Sequence, residues 1–380
     1  MPLTHKRVIV RVDYNVPISD GQISSDLRVR ATLATIQMIL KKGGKVILLT
    51  HMGRPIEFDP QLSTQILLPW FEQHGFTIEF ASDLQTAYQK SIHSTANIIM
   101  VENLRFFPGE KAHSPAFAQE LARLGDVYVD DAFALIHEAD TSMTLLAELF
   151  PKEKRTIGLL MEQEIHTLNK LIENPKRPFV VIIGGNKVAE KTALITNLAE
   201  HIDTILLCPA IVFSYLRSLG KNVGSSLVDE KSIELWNNLS TTAAQNDVKI
   251  IVPIDYLVAK KDLNGKLRVI QADEFQEDDV GITIGPKTTA LYCQTIKNAQ
   301  TALYNGLMGI LERPETLHAT KEIFNAMATV PMSIVGGGDS TAAVELLQIE
   351  RGTLQLSTGG GAMIAYLAGQ DLPGLQPFLV

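Results

Sequence analysis

The chain has 380 residues, with 42 acidic against 34 basic and a formal net charge of −8, a balance that argues against nucleic acid or an anionic membrane as a bulk partner. Cys208 and Cys293 form no Cys-x-x-Cys pattern and no His/Cys cluster, so neither a disulfide framework nor a structural zinc is readable and a reducing compartment is expected. The opening MPLTHKRVIVRVDYN lacks a signal-peptide core and no run approaches the ~20 apolar residues of a membrane helix, so a cytoplasmic protein is expected.

Taken in order, short β-branched runs at 8–12, 46–49, 97–101, 127–129, 179–183, 204–207, 250–252, 301–304, 332–335 and 354–356 read as strands. Helix-period stretches lie between them, at 27–41, 115–124, 190–200 and 341–347. Nearly continuous apolar strands alternating with helices predict an α/β protein with doubly wound parallel sheets. So many strands exceed one compact sheet, and two Rossmann-like domains are the economical arrangement. The amphipathic helix Leu159–Glu173, closed by Asn174-Pro175, is expected to be a hinge between them. The expected divisions are 1–158, the helix 159–174, and 175–361, with 362–380 packing back on the first domain. Residues 257–277 read as a surface excursion with a short hairpin turning at Asn264-Gly265.

The loops that follow the strands differ between the halves. In the first half they are His51-Met52-Gly53-Arg54-Pro55, Glu102-Asn103-Leu104-Arg105 and Asp130-Asp131-Ala132-Phe133, which offer guanidinium groups. In the second half they are Gly184-Gly185-Asn186-Lys187, Gly336-Gly337-Gly338-Asp339-Ser340 and Ser357-Thr358-Gly359-Gly360-Gly361, which offer backbone N–H groups and a lysine. Ligands of open α/β sheets bind at the carboxyl ends of strands, and glycine loops that open helices hold phosphate by amide donors and helix dipole. Two facing sites are therefore expected, one for a small anion and one for a polyphosphate. Each feature alone has a plainer reading: Asp339 as an N-cap, the arginines as solvated side chains, Asp13 and Asn15 as turn formers. Arginines after several strands of one sheet in an acidic protein point instead to a carboxylate or phosphate ligand, which guanidinium matches in a bidentate manner. Neither GxxxxGK[ST] nor GxGxxG occurs, so a P-loop NTPase and an NAD-dependent dehydrogenase are unsupported. His137, His166 and His201 have no metal-like spacing, and no Ser/His/Asp constellation suggests a hydrolase.

In sequence, RVDYNVP, Asp26-Leu27-Arg28, THMGRP, ENLRF, DDAF, GGNKVAEK, IGPKT, YNGLMGILE, GGGDSTAAVE and STGGGA resemble the successive signatures of the phosphoglycerate kinase family. The resemblance runs from Lys6 to Leu372-Pro373-Gly374. It implies two Rossmann-like domains about a hinge helix, and a monomeric enzyme that transfers phosphoryl between ATP and the carboxylate of 3-phosphoglycerate with Mg2+. By the same resemblance Asp13, Asn15, Arg28, His51, Arg54 and Arg105 would hold phosphoglycerate, with Arg28 also reaching the phosphoryl group in transfer. Lys187 would bridge that group, Lys191 the nucleotide phosphates, Asp339 the magnesium and Glu312 the ribose. Gly337, Gly338 and Gly359 to Gly361 would supply amide donors, Gly338 and Gly361 joining Arg28 and Lys187 as catalytic groups. Gly185, Asn186, Gly285, Asn305 and Ser340 would complete the nucleotide site.

Several positions depart from the family pattern. The basic HRAH-like segment reads His137-Glu138-Ala139-Asp140, so Glu138 replaces an arginine and is expected to repel the substrate. Ala134 replaces a glycine beside it, Cys208-Pro209-Ala210 replaces a glycine triplet beneath adenine, Tyr304 replaces tryptophan and Leu307 proline. Extra side chains at 208–210 are expected to reshape the base pocket. An alternative is thus a catalytically impaired paralogue that acts as a binding or regulatory protein, or that uses another acid.

Overall fold

Consecutive apolar residues form strands here because each sheet is covered on both faces, so alternate side chains along a strand enter two different cores. In the computed structural model, Val8, Val10, Val46, Leu48, Ile98 and Met100 pack with Ile36, Trp70 and Phe71 on one side of the first sheet. Their neighbours Ile9, Ile47, Leu49, Ile99, Val101 and Tyr128 pack with Leu121, Leu146 and Phe150 on the other. The structure describes every residue except Met1, Asp20, Asn186, Lys231, Ser232, Asp262, Asn264 and Val380, and the side chains of Ile233 and Asn237.

All the expected strands form. The first sheet has six strands in the spatial order Ile78–Ala81, Ile98–Val101, Lys45–Leu49, Arg7–Arg11, Val127–Asp130, Arg155–Ile157, every pair parallel. Its two outer strands escape the apolar-run reading because an edge strand is less covered, and Glu79, Arg155 and Thr156 interrupt them. The second sheet, also six parallel strands, runs Lys249–Ile251, Thr204–Ala210, Phe179–Gly185, Thr301–Asn305, Met332–Gly336, Leu354–Ser357. Winding reverses once in each sheet, between Arg7–Arg11 and Val127–Asp130 and between Phe179–Gly185 and Thr301–Asn305. Loops leaving the carboxyl ends diverge at such a switch and leave a crevice.

Residues 1–167 and 371–380 form one unit and residues 168–370 the other, so the division falls inside the helix Leu159–Glu173. The return to the first unit starts later than the expected residue 362. The helix Gly360–Leu367 stays in the second unit, where Asn197 Nδ2 donates to Leu367 O at 2.7 Å, and Gly374 N then donates to Ile136 O at 2.9 Å in the first. The expected surface hairpin is larger than its turn suggested. Asp255–Lys260 pairs antiparallel with both Arg268–Gln271 and Asp279–Ile284, while Asn264 of the turn lies outside the described residues.

Gly184 and Gly306 meet at the second switch. Gly306 has φ +98°, and a Cβ on it would lie 2.2 Å from Gly184 O. Gly306→Ala is expected to cost about 2 kcal/mol or more, since it adds a backbone clash to a strained conformation. Gly220→Ala, at φ +71° with nothing within 4 Å, is the control for strain alone and should cost less. Equal urea midpoints for the two variants would show that the strand ends can part freely.

Beneath the first switch lies a layer of buried charge. Arg11, fully buried, donates from Nε to Ser142 Oγ at 2.7 Å, and that hydroxyl donates to Glu110 Oε1 at 2.6 Å. Asp130 is also fully buried, and desolvation pushes its carboxyl up to about 8 against the opposing Ala132 N–H bond and the Arg11 charge. Because the folded pKa lies above the unfolded one, the folded chain holds the extra proton between about pH 4 and 8, and the stability from this group is lost as pH rises through that window. Asp130→Asn should remove this loss and stabilise the protein at pH 8 relative to the parent. Urea midpoints of parent and variant at pH 5 and pH 8 test it. The difference between them cancels His51, whose lowered pKa acts with the opposite sign. A constant difference at both pH values would mean that Asp130 is ionised in the folded state.

Candidate active site

The first crevice collects its polar groups from four loops. After the strand Arg7–Arg11, Asp13 Oδ2 accepts from Arg28 NH1 at 2.6 Å, and Asp13 Oδ1 accepts from Asn15 N at 3.0 Å. Arg28 NH1 also donates to Asn15 O at 3.0 Å, while Asn15 Oδ1 accepts from Gly53 N at 2.9 Å. Gly53, at φ +61°, can make that turn because it has no side chain to collide with Leu62. The next loop enters through Asn103, which caps the turn Leu104–Phe106 by accepting from Arg105 N at 3.0 Å and donates Nδ2 to Met52 O at 2.8 Å. Arg105 NH1 donates to Gly53 O at 2.7 Å. One bond network therefore joins Asp13, Asn15, Arg28, Gly53 and Arg105.

Arg105 is bound to a backbone carbonyl, and its nearest carboxylate contact, to Asp140, is 4.0 Å. Carbonyls orient a guanidinium without neutralising it. Exposed Arg54 lines a cleft of about 350 Å³ with Pro55, Arg105, Lys111 and Glu138. His51 differs in kind from its neighbours. It is 2% exposed, and burial together with the charges of Arg11, Arg105, Arg28 and Lys111 holds its pKa well below the ordinary histidine value. It is thus neutral at pH 7, a hydrogen-bonding group whose Nδ1 has no partner among the described residues. Glu138 is not loose in the cleft, because its Oε2 accepts from Lys111 Nζ at 3.0 Å. Lys111 and Asp140 are absent from the sequence-derived set. The single clue to Lys111 is its place directly after the arginine loop.

The second crevice is built of backbone. Lys191, 5% exposed on the helix Val188–Leu198, turns back to donate Nζ to Gly184 O at 2.6 Å, and burial pulls its pKa down to about 8. Gly185 has φ +78°, and its missing Cβ would lie 3.2 Å from that Nζ. Lys187 is exposed and pairs with Glu190 at 3.0 Å, whereas Asn186 lies outside the described residues. Across the switch Asn305 Nδ2 donates to Gly336 O at 3.1 Å. Gly337 is the N-cap of the helix Gly338–Leu346, with φ +110°, and Ser340 Oγ would lie 3.3 Å from a Cβ there. Asp339 sits exposed in the first turn of that helix, one residue inside it, and makes no side-chain cap bond among the described residues, so Gly337 and not Asp339 is the N-cap. Gly360 passes so close that its Cβ would lie 2.4 Å from Gly337 Cα, which brings the two glycine loops together. Gly338 and Gly361 are exposed in the first turns of their helices, and Gly359 is the N-cap of the second. Gly285, N-cap of Pro286–Lys297, is backed by the Asp255 carboxylate, which accepts from Lys287 N at 3.0 Å. Glu312 is exposed and bonds to none of these among the described residues.

The Cys208 side chain is fully buried among Leu206, Tyr292 and Tyr304, burial pushes its thiol pKa up, and Pro209 is buried as well. Only Ala210 of the triplet keeps exposure. Tyr304 is likewise a core residue, with its hydroxyl accepting from Met308 N at 3.2 Å.

The family model for phosphoglycerate kinase matches residues 1–370. A phosphoglycerate kinase of Dictyoglomus turgidum is 38% identical over 98% of this chain and 95% of its own length, and one of Moorella thermoacetica is 36% identical over 99% and 96%. Among solved structures, phosphoglycerate kinase from Coxiella burnetii superposes with TM-score 0.83 at 29% identity over 100% of this chain and 97% of its own. That from Pyrococcus horikoshii superposes with TM-score 0.85 at 28% identity and the same coverage. With a family match along nearly its whole length and six-stranded parallel sheets in the same fold, the chain belongs to the phosphoglycerate kinase family.

Proposed function

We propose that the protein transfers phosphoryl between ATP and the carboxylate of 3-phosphoglycerate, as a monomeric cytoplasmic enzyme. The observation that carries this reading is the cluster at the carboxyl edge of the first sheet, where Arg105 is oriented by a carbonyl, Arg28 is oriented by Asn15 O together with the Asp13 carboxylate, and Arg54 is exposed. Such an arrangement keeps positive charge for an anionic ligand. Neutral His51 adds a hydrogen bond without adding charge, and Asp13 and Asn15 set the guanidinium of Arg28 while facing the ligand's hydroxyl.

No general base is required, because the acceptor carboxylate titrates near pKa ~3.5 and is ionised already. Catalysis then depends on alignment and on positive charge at the equatorial oxygens of a loose transition state. Arg28 stabilises those oxygens from the acceptor side. Lys187, exposed and held among the described residues by a surface pair to Glu190, reaches the phosphoryl group from the donor side. Lys191, Gly185, Gly337, Gly338 and the amides at Gly359 to Gly361 hold the nucleotide phosphates. Asn305, Ser340 and Gly285 shape the site around them, with Glu312 on the ribose. Mg2+ takes one or two carboxylates and fills its remaining positions with phosphate and water, which fits the single exposed Asp339 and the lack of any three-residue His/Cys/Asp/Glu group among the described residues. Bound there, the ion would neutralise phosphate charge. The pairing of Glu138 with Lys111 removes the main sequence argument for an impaired paralogue.

A coupled assay with ATP, Mg2+ and 3-phosphoglycerate should give turnover in the ordinary range of ~1–1000 per second. No turnover with this acid alongside phosphorylation of another would redirect the reading. Lys187→Ala should lower kcat by roughly a hundredfold or more with little change in KM for either substrate, since its charge is needed when the phosphoryl is in flight. A raised KM at unchanged kcat would assign it to ground-state binding. Asp339→Ala should leave the melting temperature unchanged and make ADP affinity, measured by calorimetry, insensitive to Mg2+. Retained Mg2+ dependence would move the metal elsewhere.

A further inference from the structure

Lys111 enters the anion cleft by construction. It ends the short helix Pro108–Lys111, which is stapled to the following segment on its inner side: Thr141 N donates to Glu110 O at 2.9 Å and Thr141 Oγ1 to Gly109 O at 2.7 Å. The Glu110 side chain points inward, where its carboxylate accepts from Ser142 N at 3.0 Å. The Lys111 side chain is half-exposed and lines the same cleft as Arg54 and Arg105.

Two carboxylates hold its ammonium. Asp140 Oδ1 accepts from Nζ at 2.7 Å and Glu138 Oε2 at 3.0 Å, which leaves one of the three donors of the lysine unassigned. The two acceptors are not equivalent. Asp140 is 2% exposed, and its other oxygen has no hydrogen-bond partner among the described residues and lies 4.0 Å from Arg105 NH2. Glu138 is 29% exposed and stands at the rim, where an ion pair with a half-exposed lysine is weak. The bonds to Asp140 and Glu138 hold the Lys111 pKa above its ordinary value in spite of burial, so the cation persists at neutral pH.

We propose that Lys111 is a third cation of this anion cleft, with Asp140 as its fixed anchor and Glu138 as a built-in counter-anion that the phosphate of 3-phosphoglycerate displaces. The inference rests on the reading of this crevice as the phosphoglycerate site. A phosphate carries more charge than one carboxylate and can engage Arg54, Arg105 and Lys111 together, so it outcompetes a single rim contact. The acidic residue in the cleft then modulates affinity and keeps the empty cleft from attracting smaller anions.

Calorimetric titration of the full chain tests this with 3-phosphoglycerate, inorganic phosphate and ADP. Lys111→Ala should weaken 3-phosphoglycerate about tenfold or more, and Lys111→Arg should recover most of the loss. Glu138→Gln should tighten binding about threefold, because the competing charge is gone. ADP affinity and the urea unfolding transition of the first unit should stay close to those of the parent throughout, which shows that both units of the variants are folded. Binding of 3-phosphoglycerate by Lys111→Ala within about twofold of the parent, or weaker binding by Glu138→Gln, overturns the proposal. Inorganic phosphate separates this inference from the functional reading. If the parent ignores 3-phosphoglycerate, loss of phosphate affinity in Lys111→Ala still supports the third cation, and unchanged phosphate affinity overturns it.

Discussion

Positive charge is gathered in the first unit by two kinds of partner, carbonyls at Arg105 and carboxylates at Arg28 and Lys111, and the difference between them decides how much charge the cleft keeps. A guanidinium bound to a carboxylate is oriented but neutralised, whereas one bound to a carbonyl is oriented and still charged. Arg105 donates to Gly53 O, and Arg28 divides one nitrogen between Asn15 O and Asp13. The carbonyls come from loops that Asn15 and Asn103 hold in place through side-chain bonds to Gly53 N and Met52 O. Neutral asparagines thus position charged arginines, and the electrostatic effect reaches His51, which burial and, after it, the surrounding cations keep unprotonated.

The second unit is built on close backbone approach. Gly184 with Gly306, and Gly337 with Gly360, come within distances that no Cβ would tolerate. Such pairs bring strand ends and helix starts together, so that several amides can face one point. Lys191 joins this arrangement by folding its ammonium against Gly184 O, where burial lowers its pKa. A bound anion would restore its charge preference.

The reversed charge at Glu138 shows how one residue changes meaning with its partner. Taken alone it opposes an anion site. Beside Lys111 and Asp140 it is half of an ion pair on a cation that the same cleft also presents. Local charge in a cleft is therefore set by groups from several loops, here 105, 111, 138 and 140, that no linear window contains.

Sequence alone determined the alternation of buried strands and amphipathic helices, because strands covered on both faces must be continuously apolar, and it located the arginine and glycine loops at their carboxyl ends. It did not disclose the edge strands Ile78–Ala81 and Arg155–Ile157, whose polar residues break the pattern, or the three-stranded antiparallel sheet around Asp255–Lys260. Tertiary structure alone decided which charges meet. The Lys111 pair with Glu138, the neutrality of His51 and the inward turn of Cys208 all depend on distances between segments far apart in the chain, and Coulomb energy and desolvation depend on those distances rather than on composition.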